Sequence, residues 1–343
     1  MVYAELEYFL SIALLSTAML GMGATLTTAD FRKVAQIPQA MLLMFLVQIV
    51  ISPIIAIGLS RLLNLTPGVT FGLVFVAALP GGLCSNIITY LGKGNIALSV
   101  TATAITSLTC LVTTALILRV VGGADLPAGF HMPTGTVMTE IVLCMILPLA
   151  VGMFIRHFAV NYHGMIAKGA IRASLVLLVI FAIAAINSGH IRAAEYGWRP
   201  PLAFFLFCCL SLWCCYGIGA LARMPVNDRF TIGVECVVRN VQMGVLLKAI
   251  LFPPGSSDLI GDAILYTLLI YGGLSMGVSG FEVFCKRRQI GLIYGTAKKP
   301  RLTEATPADR REQAMGNNRI PVAEPLNSVD NMDWRPSTNL DHF

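Results

Sequence analysis

The chain has 343 residues, 56% hydrophobic and only 12% charged, with a mean hydropathy of +0.75. A soluble domain carries about twice that charged fraction, and apolar runs of membrane-spanning length follow one another from residue 5 to 285, so a soluble multidomain protein is excluded. The net charge of +6 is no nucleic-acid signal, because half of it comes from a polar tail, 286–343, with ten Lys/Arg and seven Asp/Glu.

The first residues lack the basic region of a cleavable leader, and their apolar run continues to Met22, which reads as a first membrane helix. Nine spans are expected, near 5–27, 37–61, 68–92, 95–119, 134–157, 165–188, 199–223, 227–251 and 260–285. Each can cross a hydrocarbon core of ~30 Å at ~1.5 Å per residue. With the start of the chain outside, the inner loops and span ends hold eleven Lys and Arg, among them Arg32, Lys93, Arg156 and Lys286, against five outside. That bias predicts an N-out, C-in protein of the cell (inner) membrane. The transmembrane domain, 1–289, is followed by a tail, 290–343, rich in Pro, Asn, Asp, Glu and Arg and without an apolar period. Such a tail is expected to be disordered and cytoplasmic. Eight of the nine cysteines fall inside apolar stretches, Cys285 sits at a helix end, and no Cys-x-x-Cys occurs. Neither a disulfide framework nor a metal or redox centre is predicted.

Two spans are broken in their middles. The third carries Pro80-Gly81-Gly82, and the eighth carries the polar run Glu235 to Asn240. Proline removes a backbone donor, and paired glycines favour an unwound segment. Backbone freed inside a bilayer survives only beside a polar cavity or inside protein. Paired breaks in corresponding halves of a membrane chain point to the binding site of a transporter, and their placement suggests inverted repeats of four and five spans.

Only Glu235 and Arg239 are ionisable near mid-depth, where a charge costs ~2.5–3.5 kcal/mol on insertion scales. At i, i+4 they could simply pair and lock the break. Ser85 and Asn86 follow the first break, and Ser99 and Thr103 share one face of the next span. Hydroxyls in membrane helices often bond back to their own backbone, but hydroxyl and amide oxygens converging on one carboxylate also suit a hard monovalent cation. Gln48, ahead of Pro53, could add an oxygen to a cation or bridge two helices. The half-helix N-termini at the breaks attract carboxylates or sulfates, so an anionic substrate is favoured.

The stretch Gly21-Met22-Gly23-Ala24-Thr25-Leu26, the block from Pro80 through Ser85-Asn86 to Leu98-Ser99-Val100, and the break from Glu235 to Asn240 together resemble the bile acid:sodium symporter family. The resemblance covers residues 10–285 and implies a bacterial-type, all-α membrane protein with a panel domain and a core domain, two discontinuous helices crossing in the core. It implies one sodium site at positions matching Ser85, Asn86, Ser99, Thr103 and Glu235. A second family site uses positions matching Gln48 and Glu235, and a glutamine that falls here at Arg239. A guanidinium has no acceptor and cannot ligate sodium, so Arg239 is expected to take the place of that ion and pair with Glu235. Leu83 departs from the small hydroxyl residue found near the substrate in many members, while Asn240, also on the substrate side, is kept.

The expected function is secondary active import of an organic anion, bile-acid-like or a small carboxylate, by sodium-coupled alternating access. Sodium-independent or proton-coupled transport is the alternative, and a sensor or scaffold acting through the tail a further one. An intramembrane enzyme is disfavoured: no His-Glu-x-x-His occurs and no histidine falls within a membrane run beside Ser85.

Overall fold

The computed structural model describes residues 2–35, 37–121, 134–187, 193–252 and 259–289. The expected tail, 290–343, and the segment 122–133 between the fourth and fifth expected spans lie outside these residues. The regular elements among the described residues are helices, with one isolated β-bridge. Besides a single turn at Ala193–Tyr196, they are in chain order α1 (Val2–Gly23), α2 (Thr28–Ala35), α3 (Pro38–Leu62), α4 (Pro67–Ala78), α5 (Leu83–Leu91) and α6 (Ile96–Val121). Then come α7 (Gly135–Phe158), α8 (His163–Asn187), α9 (Arg199–Leu221), α10 (Val226–Val237), α11 (Val241–Leu251) and α12 (Leu259–Arg288).

Local sequence explains where these helices start and stop. Pro38, Pro67 and Pro200 sit in the first turns of α3, α4 and α9, where a missing N–H costs nothing. Asn64, Lys93 and Arg223 take positive φ just after α3, α5 and α9. In each case the next amide reaches back five residues, Leu65 to Ser60, Gly94 to Thr89 and Met224 to Gly219, which uses up a terminal carbonyl. Two helices carry a π turn: Leu46–Ile51 in α3 and Val142–Ile146 in α7. Each lies just before a proline, Pro53 or Pro148, whose ring displaces the regular i→i−4 bond and widens the preceding turn.

Among the described residues five helices are long and apolar enough to cross a membrane, or six if α6, bent by 58° between Ile96–Cys110 and Val112–Leu118, counts as one. The broken third and eighth spans appear as the half-helix pairs α4/α5 and α10/α11, each too short to cross alone. Apolar side chains such as Leu42, Ile54, Phe154, Val176, Trp213 and Phe281 stand exposed on the helices, which suits a surface wetted by lipid.

The helices α1, α7 and α8 pack on one another, and α1 reaches the remaining helices chiefly through α11. On the other side α12 lies along α4, where Gly68 and Gly72 let the backbones approach Ala263 and Thr267. The apolar core includes Phe71, Phe75, Phe204, Phe207, Tyr266 and Tyr271, all but fully buried. This packing holds both breaks deep inside protein.

Candidate functional site

The chain unwinds at Leu79–Gly82 and again at Val238–Asn240, with Leu79, Gly82 and Val238 in extended conformations. The two unwound pieces lie antiparallel and pair through a bridge between Gly81 and Arg239. Gly82 N–H donates to Val238 O and Asn240 N–H to Pro80 O, both at 2.9 Å. Carbonyls freed by the breaks are therefore held by protein. Thr114 Oγ1 donates to Ala78 O at 2.8 Å, Arg239 and Gln48 both donate to Leu79 O, and Tyr271 OH donates to Val237 O. Unwound backbone in a membrane interior demands this satisfaction. Gly81 is required by it: a Cβ there would overlap Glu235 Oε1, and one at Gly82 would press on Arg239 O. Gly81→Ala should accordingly cost about 1–3 kcal/mol of stability, read as a lower thermal midpoint in detergent; an unchanged midpoint would show that the breaks can separate freely.

Five of the residues singled out from the sequence form one connected cluster. Glu235, on the last turn of α10, is fully buried. Its Oε2 accepts from Ser85 Oγ at 2.5 Å, and Ser85 Oγ lies 3.5 Å from Thr103 Oγ1. Asn86 Oδ1 accepts from Ser99 Oγ at 2.8 Å and from Thr103 Oγ1 at 3.3 Å. The first turn of α5, one face of α6 and the end of α10 thus bring four oxygen-bearing side chains around one carboxylate. Ser85 and Thr103 also donate to the backbone, to Gly82 O and Ser99 O, so the ordinary role of membrane hydroxyls coexists with the cluster. Glu235 Oε1 has no hydrogen-bond partner. A buried carboxylate oxygen left open, beside hydroxyl and amide oxygens, has the donor chemistry that a hard cation takes.

Arg239 is buried but does not pair with Glu235, contrary to the sequence expectation. Its Nη1 donates to Leu79 O at 3.0 Å and its Nη2 to Ser52 Oγ at 2.8 Å, while Nε has no partner. The cause is the break itself. The i, i+4 rule needs a continuous helix, and the chain leaves the helix at Val238, so Arg239 turns toward α3. Gln48 lies on the π turn of α3 with Nε2 3.3 Å from Leu79 O and Oε1 unpartnered. Arg239 and Gln48 therefore meet at one carbonyl.

Asn240 caps α11: its Oδ1 accepts from Met243 N–H at 3.0 Å, and its Nδ2 is unpartnered. Leu83 opens α5 and packs into the apolar core with 4% of its surface exposed. Sequence reasoning passed over Ser52, Thr114 and Tyr271, three hydroxyls that fall in the middle of apolar runs, which was the signal available. In the structure Lys248 is buried and paired with Glu7 at 2.7 Å.

Helices of spanning length, exposed apolar flanks and two mutually paired helix breaks around a buried carboxylate define a multi-pass α-helical membrane protein built around an internal polar site. The sequence matches the profile of the Sodium Bile acid symporter family over residues 12–193. The chain belongs to that family, which is one of symporters and not of enzymes. It is 28% identical over 247 residues to the uncharacterized sodium-dependent transporter YocS of Bacillus subtilis, covering 71% of this chain and 74% of that protein. It is 29% identical to the probable sodium/metabolite cotransporter BASS1, chloroplastic, of Arabidopsis thaliana, covering 68% of this chain and 57% of the plant protein. It is also 29% identical to the human sodium/bile acid cotransporter 4, with coverages of 77% and 60%. The match thus spans less than two thirds of the plant and human relatives.

Proposed function

We propose that this chain is a secondary transporter that brings a small organic anion into the cell together with sodium by alternating access. The observation that supports this most is Glu235, fully buried with one oxygen open, amid the oxygens of Ser85, Asn86, Ser99 and Thr103. In this reading those five residues bind a sodium ion as co-substrate. Arg239, beside Gln48, takes the place of a second ion. The anion binds next to Leu83 and Asn240, where the N-termini of α5 and α11 concentrate partial positive charge. The relatives, named as a sodium-dependent transporter and as sodium cotransporters of metabolites and bile acids, agree with sodium coupling and leave the anion between bile-acid-like molecules and small carboxylates.

The same reading takes the helices other than the short α2, counting each broken pair as one, as nine spans in inverted repeats. It makes α1, α7 and α8 a panel, and the helices that hold the breaks a core. It puts the N-terminus outside and the segment 290–343, which follows the membrane domain 1–289, in the cytoplasm. A reporter fused after Lys286 should score as cytoplasmic and a tag before Glu5 as external; both ends on one side would refute the span count.

The deciding experiment is uptake by purified protein in proteoliposomes, across a panel of bile acids, steroid sulfates and small carboxylates, with and without an inward sodium gradient. At least one anion should accumulate only with sodium. Equal uptake without sodium would reject the coupling, and no uptake of any anion would reject the class of substrate.

A further inference from the structure

The ion pair between Glu7 and Lys248 joins α1 to α11 in the interior of the protein, with the two side chains 0% and 4% exposed. Burying both charges is expensive, and a buried pair is often no more stabilising than apolar residues of the same size. Simple stability therefore does not explain it. One carboxylate oxygen, Glu7 Oε2, is also left without a partner. Packing here is not maximised for polar satisfaction.

Its position is informative. Lys248 lies eight residues along α11 from Asn240, about 12 Å at 1.5 Å per residue. The whole of α11 thus runs as one rod from the paired breaks to this ion pair, and Asn240 caps the rod at its inner end. At the other end Glu7 belongs to α1, which packs along α7 and α8 and meets the remaining helices chiefly through α11. The pair therefore sits on the main seam between these two groups of helices. Tyr8, the next residue, donates to Glu140 of α7 at 2.6 Å, which ties Glu7's turn of α1 to its own group.

We propose that Glu7 and Lys248 form a latch that holds the seam between α1 and α11 closed at the end of the bundle where the chain begins, and that parts when the two helix groups move. The proposal rests on the transport reading for its purpose but not for its test. Ser11 lies one turn inward from Glu7 on α1, fully buried, and serves as a reporter. In full-length protein carrying Ser11→Cys, a water-soluble maleimide should label position 11 slowly, with the label located by peptide mass to separate it from native cysteines. Adding the neutral pair Glu7→Gln/Lys248→Met should raise that rate about fivefold or more, as a closed population is lost. The exchanged pair Glu7→Lys/Lys248→Glu should bring it back toward the parent value. Unchanged labelling in a monodisperse neutral variant would overturn the latch and leave a static tie.

If the neutral pair does not fold, Glu7→Cys/Lys248→Cys bridged by a short bifunctional thiosulfonate replaces it. Cross-linking should stop uptake and reductant restore it. Uptake unaffected by a completed cross-link would likewise overturn the latch. Absence of uptake in the unmodified protein speaks against the transport reading alone, because the labelling comparison stands without a substrate.

Discussion

Glu235→Ala is expected to abolish sodium-driven uptake while leaving the protein folded. In the proposed sodium site the carboxylate is the one charge among five side chains, and removing one partner of a buried charge pair costs about 3–5 kcal/mol, or on the order of 100- to 4,000-fold in ion affinity. Glu235→Gln should fail nearly as completely, since it keeps the shape and one oxygen but not the charge. Thr103→Ala removes a neutral oxygen worth about 1 kcal/mol and should weaken apparent sodium affinity roughly fivefold. The graded series separates a bound cation from a merely structural cluster, in which Gln would be tolerated because Ser85 could still donate to its oxygen. Normal sodium-driven uptake by Glu235→Ala at saturating substrate would remove this carboxylate from the ion site.

Arg239→Gln is expected to steepen the dependence of uptake on sodium, from a Hill slope near one to one approaching two. The guanidinium holds Leu79 O and Ser52 Oγ, two oxygens that a cation could use. Gln48 Oε1 lies open in the same region. Replacing the fixed charge by an amide would free those two oxygens and add a third, while taking away the cation that excludes another. A sodium titration in wild type and variant, at fixed membrane potential, reads the change. A wild-type slope already near two would show that the fixed charge and a second ion coexist, and the substitution reading of Arg239 would fail.

Much of this site was legible because its determinants are local. Pro80-Gly81-Gly82 announces a break in any apolar run, and the one-turn spacing of Ser99 and Thr103 places both on one face before any packing is known. The helix ends at Gly82 and Val238, and the convergence of Ser85, Asn86 and Glu235, follow the expected pattern. The orientation of Arg239 did not. Helical spacing carries no information across an unwound residue, and only the neighbouring α3 reveals that Ser52 and Leu79 are better partners than Glu235. The Glu7–Lys248 pair was illegible for a related reason. Each residue lies near the end of a hydrophobic run, where a charge needs no explanation, and the partner is 241 positions away. Thr114 and Tyr271 were hidden by type, since hydroxyls are common in membrane helices and only the carbonyls they meet give them a role.

The pairing of the two breaks also constrains how the chain comes to be folded. Pro80 O has its donor in Asn240, 160 residues later, and Leu79 O, which Gln48 also reaches, has its second donor in Arg239, at the same separation. During synthesis the first half enters the bilayer before those donors exist. Unsatisfied carbonyls are costly in hydrocarbon, so the segment around Pro80 has to wait hydrated, or against another chain, until α10 and α11 are delivered. Assembly of this site is then a late, long-range step in biogenesis. A ribosome-bound chain stopped before residue 226 should keep the first break open to protease or to water-borne label, and release of the full chain should close it.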